Sequence, residues 1–243
     1  MSQYSTANTI INSVAVEVGL LPSTDPVGST DDTFVQLTAL LTVSGQELVD
    51  LFPWEVLIKT YSITTQVTDT GAYALPDDWA YMTDQTGWQI NTHWPLFGPL
   101  SPQQWALLNG SMVTTMTIGS GFRLSGNKFQ IWPQPPVVGT TLTMEYINRN
   151  WVLVQESPDI YGSSITNGTN IVQYEPILIK KMLKMKWLQA KGMDSTAASV
   201  EFDTIFNNRT GKDTGAQILN AGITFGYPYL DGWRNVPFTG YGM

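Results

Sequence analysis

The chain has no cysteine, one histidine (His93), and only 13% Asp, Glu, Lys and Arg in 243 residues. That charge content is about half the usual share. Without cysteine, disulfides and thiolate metal sites are excluded. A single histidine excludes a two-histidine metal site and leaves few routes to a catalytic triad. No apolar run approaches the roughly 18 residues of a membrane span. The opening, MSQYSTANTII, lacks the basic region and long apolar core of a signal peptide. The expectation is a protein made and used in a cytosol-like compartment, with no membrane contact.

Aromatics, by contrast, are abundant: nine Trp, ten Tyr and nine Phe within a 42% hydrophobic composition. A surface poor in charge and rich in aromatics suits broad contacts with other proteins; a β-rich core using aromatics is the alternative. The net charge of −8 is uneven. Residues 1–100 hold eleven Asp and Glu against Lys59 alone, and residues 101–243 hold nine acidic against eleven basic side chains. An acidic body argues against nucleic-acid binding, which draws most of its affinity from phosphate contacts. It suits a surface past which DNA slides without sticking.

The N-terminal stretch reads as helical. Ile10, Ile11, Val14, Val18 and Leu21 recur at helical spacing, with Thr6 or Asn8 to cap the start and Pro22 past the end. Asp31 or Asp32 caps a second helix with the stripe Phe34, Leu37, Leu41, Leu48 and Leu51, ended near Phe52 by Pro53. A third short helix is expected through WEVLIKTYSI. From Thr64 the pattern changes to short Thr-rich strands between Gly and Pro turns. In TLTMEY, Leu142, Met144 and Tyr146 alternate with Thr141, Thr143 and Glu145, one face buried and one wet. Helix returns after Asn170, with Pro176 in a first turn, Gly192 as a break and Gly211 as a terminator. The expected class is α+β: residues 1–63 and 170–211 form a helical core, 64–169 a β-rich insertion, and 212–243 an extended C-terminal arm crowded with Gly, Pro and aromatics.

Few residues carry chemistry. GSGFRLSG lacks the phosphate-loop pattern and sits in a hairpin. Asp77 and Asp78 follow a proline, where Asp caps turns, although paired carboxylates also serve as acid and base. With Asp84 they are the acids a carbohydrate-binding or carbohydrate-active module would use, beside stacking aromatics. His93 is expected to be packed or hydrogen-bonded. The run Lys180, Lys181, Lys184, Lys186 and Lys191 faces solvent, phosphates or the acidic first third of a neighbouring copy. The last option makes Lys180, Lys184 and Lys191, with Asp31 and Asp32, a subunit interface. No cofactor or metal is expected.

The order of the pieces resembles the head-to-tail adaptor family (tail tubular protein A-like connectors) of short-tailed bacteriophages. The resemblance rests on Leu75-Pro76-Asp77-Asp78-Trp79, on the SPQQWALL segment, on Phe122-Arg123-Leu124-Ser125-Gly126, and on Ile131-Trp132-Pro133-Gln134-Pro135 with Gly139, Leu142 and Tyr146. It implies a non-enzymatic virion protein at the head–tail junction, made in the host bacterial cytoplasm. It implies a dodecameric ring below the portal protein that extends the channel for double-stranded DNA without binding it specifically. Tail nozzle or fibre proteins would dock on the β-rich part. In that setting Phe225, Tyr227, Tyr229, Trp233, Phe238 and Tyr241 of the arm are the expected portal contacts. The hairpin residues Arg123, Lys128 and Trp132 are the expected tail-docking contacts.

Overall fold

A computed structural model describes residues 4–83, 86–110, 120–134 and 136–213. Within them the chain is mixed α and β, with five α-helices and three antiparallel sheets. After β1 (Ser5–Thr6), α1 (Ala7–Glu17) begins where the Thr6 hydroxyl accepts from the Thr9 N–H. α2 (Asp32–Leu51) begins where Asp31 accepts from the Thr33 N–H, and it stops just before Phe52 and Pro53. Both starts follow the usual chemistry of a side-chain oxygen satisfying an orphan amide. Ile10, Ile11, Val14, Phe34, Leu37, Leu41 and Leu48 are buried, but Leu21 and Leu51 are exposed. Leu21 lies past the end of α1, and Leu51 is the last residue of α2, whose final turn buries Leu48 and Val49 instead.

WEVLIKTYSI is not a helix. One 3-10 turn (Glu55–Leu57) leads into β2 (Ile58–Thr64), all seven residues of which pair with β9. The local apolar spacing fits either period, and the long partner strand decides it. Then follow β3 (Ala72–Ala74), β4 (Trp79–Met82), β5 (Trp88–Gln89) and β6 (Trp94–Pro95). α3 (Pro102–Gly110) is a helix within this strand-rich stretch. Ser101 and Gln104 cap it reciprocally: the Ser101 N–H donates to Gln104 Oε1 and the Gln104 N–H to Ser101 Oγ. β7 (Gly121–Ser125) and β8 (Lys128–Trp132) form the hairpin. Its loop residues Gly126 and Asn127 both have positive φ, as a two-residue turn matched to strand twist requires.

β9 (Thr141–Asn148), β10 (Val152–Glu156), β11 (Asp159–Gly162) and β12 (Ile171–Val172) complete the strands. α4 (Pro176–Ala190) has Pro176 in its first turn, and Gly192 follows its end with φ 68°. α5 (Thr196–Asp213) runs through Gly211, which therefore ends nothing.

β1 pairs with β12 in a sheet ordered β1-β12-β10-β11. β9 is the hub of the second sheet, with β2 on one side and β5 and β4 on the other. β3-β8-β7 is the third. α4 packs against α1, α2 and α5. One apolar cluster joins these helices to Trp54, Ile147, Trp151, Val152 and Tyr174. Gly45 of α2 is required there: a β-carbon would come within 2.2 Å of the Trp151 ring. A second cluster lies between the β9 and β8 sheets and includes Trp79, Phe122, Phe129, Leu142 and Tyr146.

Candidate assembly surfaces

Asp78 sits in the loop before β4, where the Trp79 N–H donates to the Pro76 carbonyl. Its carboxylate receives Lys59 Nζ at 2.6 Å and the Tyr146 hydroxyl at 2.8 Å. Trp79 stacks on Tyr146 with ring centroids 4.8 Å apart. Arg149 closes the far side by donating to the Trp79 carbonyl at 2.7 Å. Burial pushes the Asp78 carboxyl up, but hydrogen bonds from Lys59 and Tyr146 outweigh it and hold the group below its ordinary value. Burial and the Asp78 hydrogen bond push the Tyr146 phenol well up. LPDDW and the tyrosine of TMEY are thus two halves of one lock fastening a loop to β2 and β9. Asp78 is committed to that lock. Asp77 stands exposed beside it, and Asp84 lies outside the described residues. Of the three candidate acids, Asp77 alone is exposed among the described residues.

The three hairpin residues have different fates. Arg123 donates from Nε to Gln130 Oε1 at 2.7 Å, and its guanidinium lies 4.4 Å from the centre of the Trp105 ring. Trp132 is buried with Trp105 and Leu100. Lys128 is exposed at the turn. Two of the three therefore fasten α3 to the hairpin, and Lys128 alone faces outward.

The lysines of α4 meet the acidic first third within one chain. Lys184 lies 3.3 Å from Glu17, Lys186 2.6 Å from Glu47, and Lys181 3.0 Å from Glu201 with Glu17 at 3.6 Å. The hydrogen bond to Glu201 raises the Lys181 amine above its ordinary value, against burial, with Glu17 adding to it. Lys191 covers the Trp187 ring at 4.5 Å. Asp31 is engaged as a cap, and Asp32 is exposed in the first turn of α2. Lys180 lies half-buried on α4.

His93 is neither packed nor buried. It lies exposed in the β5–β6 turn with φ 55°, a conformation histidine adopts more readily than bulkier residues. Among the described residues no group of three His, Asp or Glu side chains is placed to hold a metal ion, and no helix is long and apolar enough to cross a membrane.

One apolar surface had no place in the sequence reading. Val67 (82% exposed), Val137 (68%) and Val138 (54%) project from two loops at one end of the β2–β9 pair. The buried Thr65 ties these loops: its hydroxyl donates to the Val137 carbonyl at 2.6 Å and accepts from the Thr140 N–H at 2.9 Å. The Gly139 N–H donates to the Thr65 carbonyl. Asn91 joins from β5's loop by donating to the Gly139 carbonyl at 3.2 Å and accepting from the Thr141 N–H at 2.6 Å. Three neighbouring valines held in water by this network form a candidate contact surface. The consecutive pair in PPVVGT, unshielded by alternation, was the available signal.

The adaptor model described as SU10 adaptor protein matches residues 5–221. The chain belongs to the SU10 adaptor protein family. This agrees with a phage head-to-tail adaptor, a structural protein of the virion that associates with other head and tail proteins. The adaptor family is structural rather than catalytic. No curated protein matches the chain. The lock at Asp78 fastens a loop to β2 and β9, and the clamp of Arg123 on Trp105 fastens α3 to the hairpin. Of the motif residues that carry the resemblance, Trp79, Trp105, Phe122, Ile131, Trp132, Leu142 and Tyr146 are buried, and Asp77, Ser125, Gly126 and Gly139 are exposed. The arm residues Phe225, Tyr227, Tyr229, Trp233, Phe238 and Tyr241 lie outside the described residues.

Proposed function

We propose that this adaptor forms a dodecameric ring below the portal, extends the DNA channel and offers a platform for nozzle or fibre proteins. The family match across residues 5–221 carries this reading. The helices gathered on α4 form the ring body, the strand-rich part is an insertion carrying the tail-facing surface, and the valine tip with Lys128 meets tail components. The C-terminal arm reaches the portal through its aromatics. The acidic stretch of residues 1–100, with eleven carboxylates against Lys59, lines a channel that repels passing DNA. Lys180 and Asp32 remain for contacts between copies, since Lys184 already meets Glu17 and Asp31 caps α2.

Mixing the purified chain with its portal and weighing the product by mass photometry tests the reading. The expected product is one portal ring plus twelve copies. A chain that stays monomeric and ignores the portal overturns it.

A further inference from the structure

The edge of β2 is open. Thr65 bonds Thr140, and Ile90 on the other side bonds Thr141. The alternation of an antiparallel ladder therefore directs the odd residues of β2 (Lys59, Tyr61 and Ile63) toward β9. The N–H and C=O groups of Thr60, Ser62 and Thr64 point away. Among the described residues, none of these outward groups has a hydrogen-bond partner, and no strand pairs with this side of β2.

Natural edges of this length are blunted by charge, proline or a bulge. This edge has none of them. Its seven residues run in unbroken register, Thr60, Ser62 and Thr64 are exposed and uncharged, and Lys59 is tied to Asp78. Such an edge is tolerated when something covers it.

The C-terminal segment starts beside it. The last described residue of α5 is Asp213, whose carboxylate accepts the Glu55 N–H at 2.9 Å, three residues before β2 begins. From Thr214 to Tyr227 the sequence is TGAQILNAGITFGY, with no charge and no proline. About seven extended residues, roughly 23 Å at 3.3 Å each, suffice to run the length of β2.

We propose that a strand drawn from Thr214–Tyr227 of the same chain adds to the open edge of β2, parallel to it, and completes that sheet. The aromatics after Tyr227 then leave from the end of the sheet that carries Val67 and Val138. The proposal stands whether or not the chain forms a ring.

Hydrogen exchange on the full-length protein tests it. The Thr60, Ser62 and Thr64 amides should exchange about tenfold or more slowly than in a Leu219→Pro, Ile223→Pro variant, independently of protein concentration. Protection unchanged in the variant, or absent in the parent, overturns the proposal. Protection that vanishes on dilution assigns the edge to a second copy and also overturns it. Because the chain has no cysteine, a second reading is clean. Ser62→Cys paired in turn with single cysteines at positions 217, 219, 221 and 223 should cross-link within one chain through a short bis-maleimide. Cross-links only between chains, or none, overturn it.

Discussion

The cluster around α4 buries aliphatic and aromatic side chains (Ile10, Leu37, Leu41, Leu183 and Trp151 among them) and keeps its ion pairs at the rim. The region around β9 also buries rings. Yet its loops are positioned by polar fastenings: Asp78 between Lys59 and Tyr146, Thr65 across to Val137 and Thr140, Arg123 on Gln130 and Trp105. Buried hydrocarbon resists unfolding but is tolerant of direction. Hydrogen bonds between named atoms fix where a loop sits. The helical part is built for stability and the strand-rich part for placement, as a protein presenting surfaces to neighbours requires.

Substitutions should separate these two strategies. Trp151→Ala removes a fully buried ring stacked on Tyr174 and should cost about 3–5 kcal/mol in urea unfolding. A cost under ~1 kcal/mol would show that this cluster is not the stabilising one. Gly45→Ala comes next. The β-carbon meets the same ring at 2.2 Å, and overpacking of about 1–3 kcal/mol should exceed the ~1 kcal/mol gained in helix propensity. Heating monitored by circular dichroism reads the sign.

Asp78→Asn should cost about 1–3 kcal/mol while leaving far-ultraviolet dichroism unchanged, and should loosen the Tyr146 and Trp79 environments seen by near-ultraviolet dichroism. The carboxyl is held below its ordinary value in the folded chain. Its contribution is therefore complete above the unfolded carboxylate range near ~4 and is lost as pH falls through the lower folded value. The gap between parent and variant should close below that range. Asn127→Ala places a β-branch-free but less adaptable residue at φ 57° and should cost about 1 kcal/mol. Lys184→Ala removes a partly exposed pair with Glu17 and should cost less than ~1 kcal/mol, shrinking further in salt. A larger loss of assembly than of stability would place Lys184 between copies.

Sequence reading found what local chemistry dictates. Thr6, Asp31, Pro53 and Pro176 mark helix ends by satisfying or withholding a single backbone donor, so they are visible without a fold. Leu142, Met144 and Tyr146 declared a strand because one face is apolar. What it misplaced depends on partners. Ile58–Thr64 becomes a strand because β9 lies along it, and Leu51 is exposed because the last turn of α2 turns Leu48 and Val49 inward instead. The capping pair Ser101 and Gln104 was legible and was overlooked amid strand-like neighbours. LPDDW was legible as a marker, but the attachment of Asp78 to Lys59 spans two strands and cannot be read from spacing. His93, expected to be packed or hydrogen-bonded, lies exposed and shows the same limit: aromatic neighbours in sequence are no guide to packing in a turn.

The contact of Gly45 with Trp151, and of α1 and α2 with α4, also sets a clock. The first two helices are made early, yet residues that cover them, including Met182, Leu183 and Trp187, are made only after the last strand, β12. At about 5–20 residues per second, α1 waits on the order of ten to thirty seconds for α4 to leave the ribosome. Through that interval the apolar stripe of Ile10, Ile11 and Val14 has α2 beside it but lacks the part of its cover that α4 supplies.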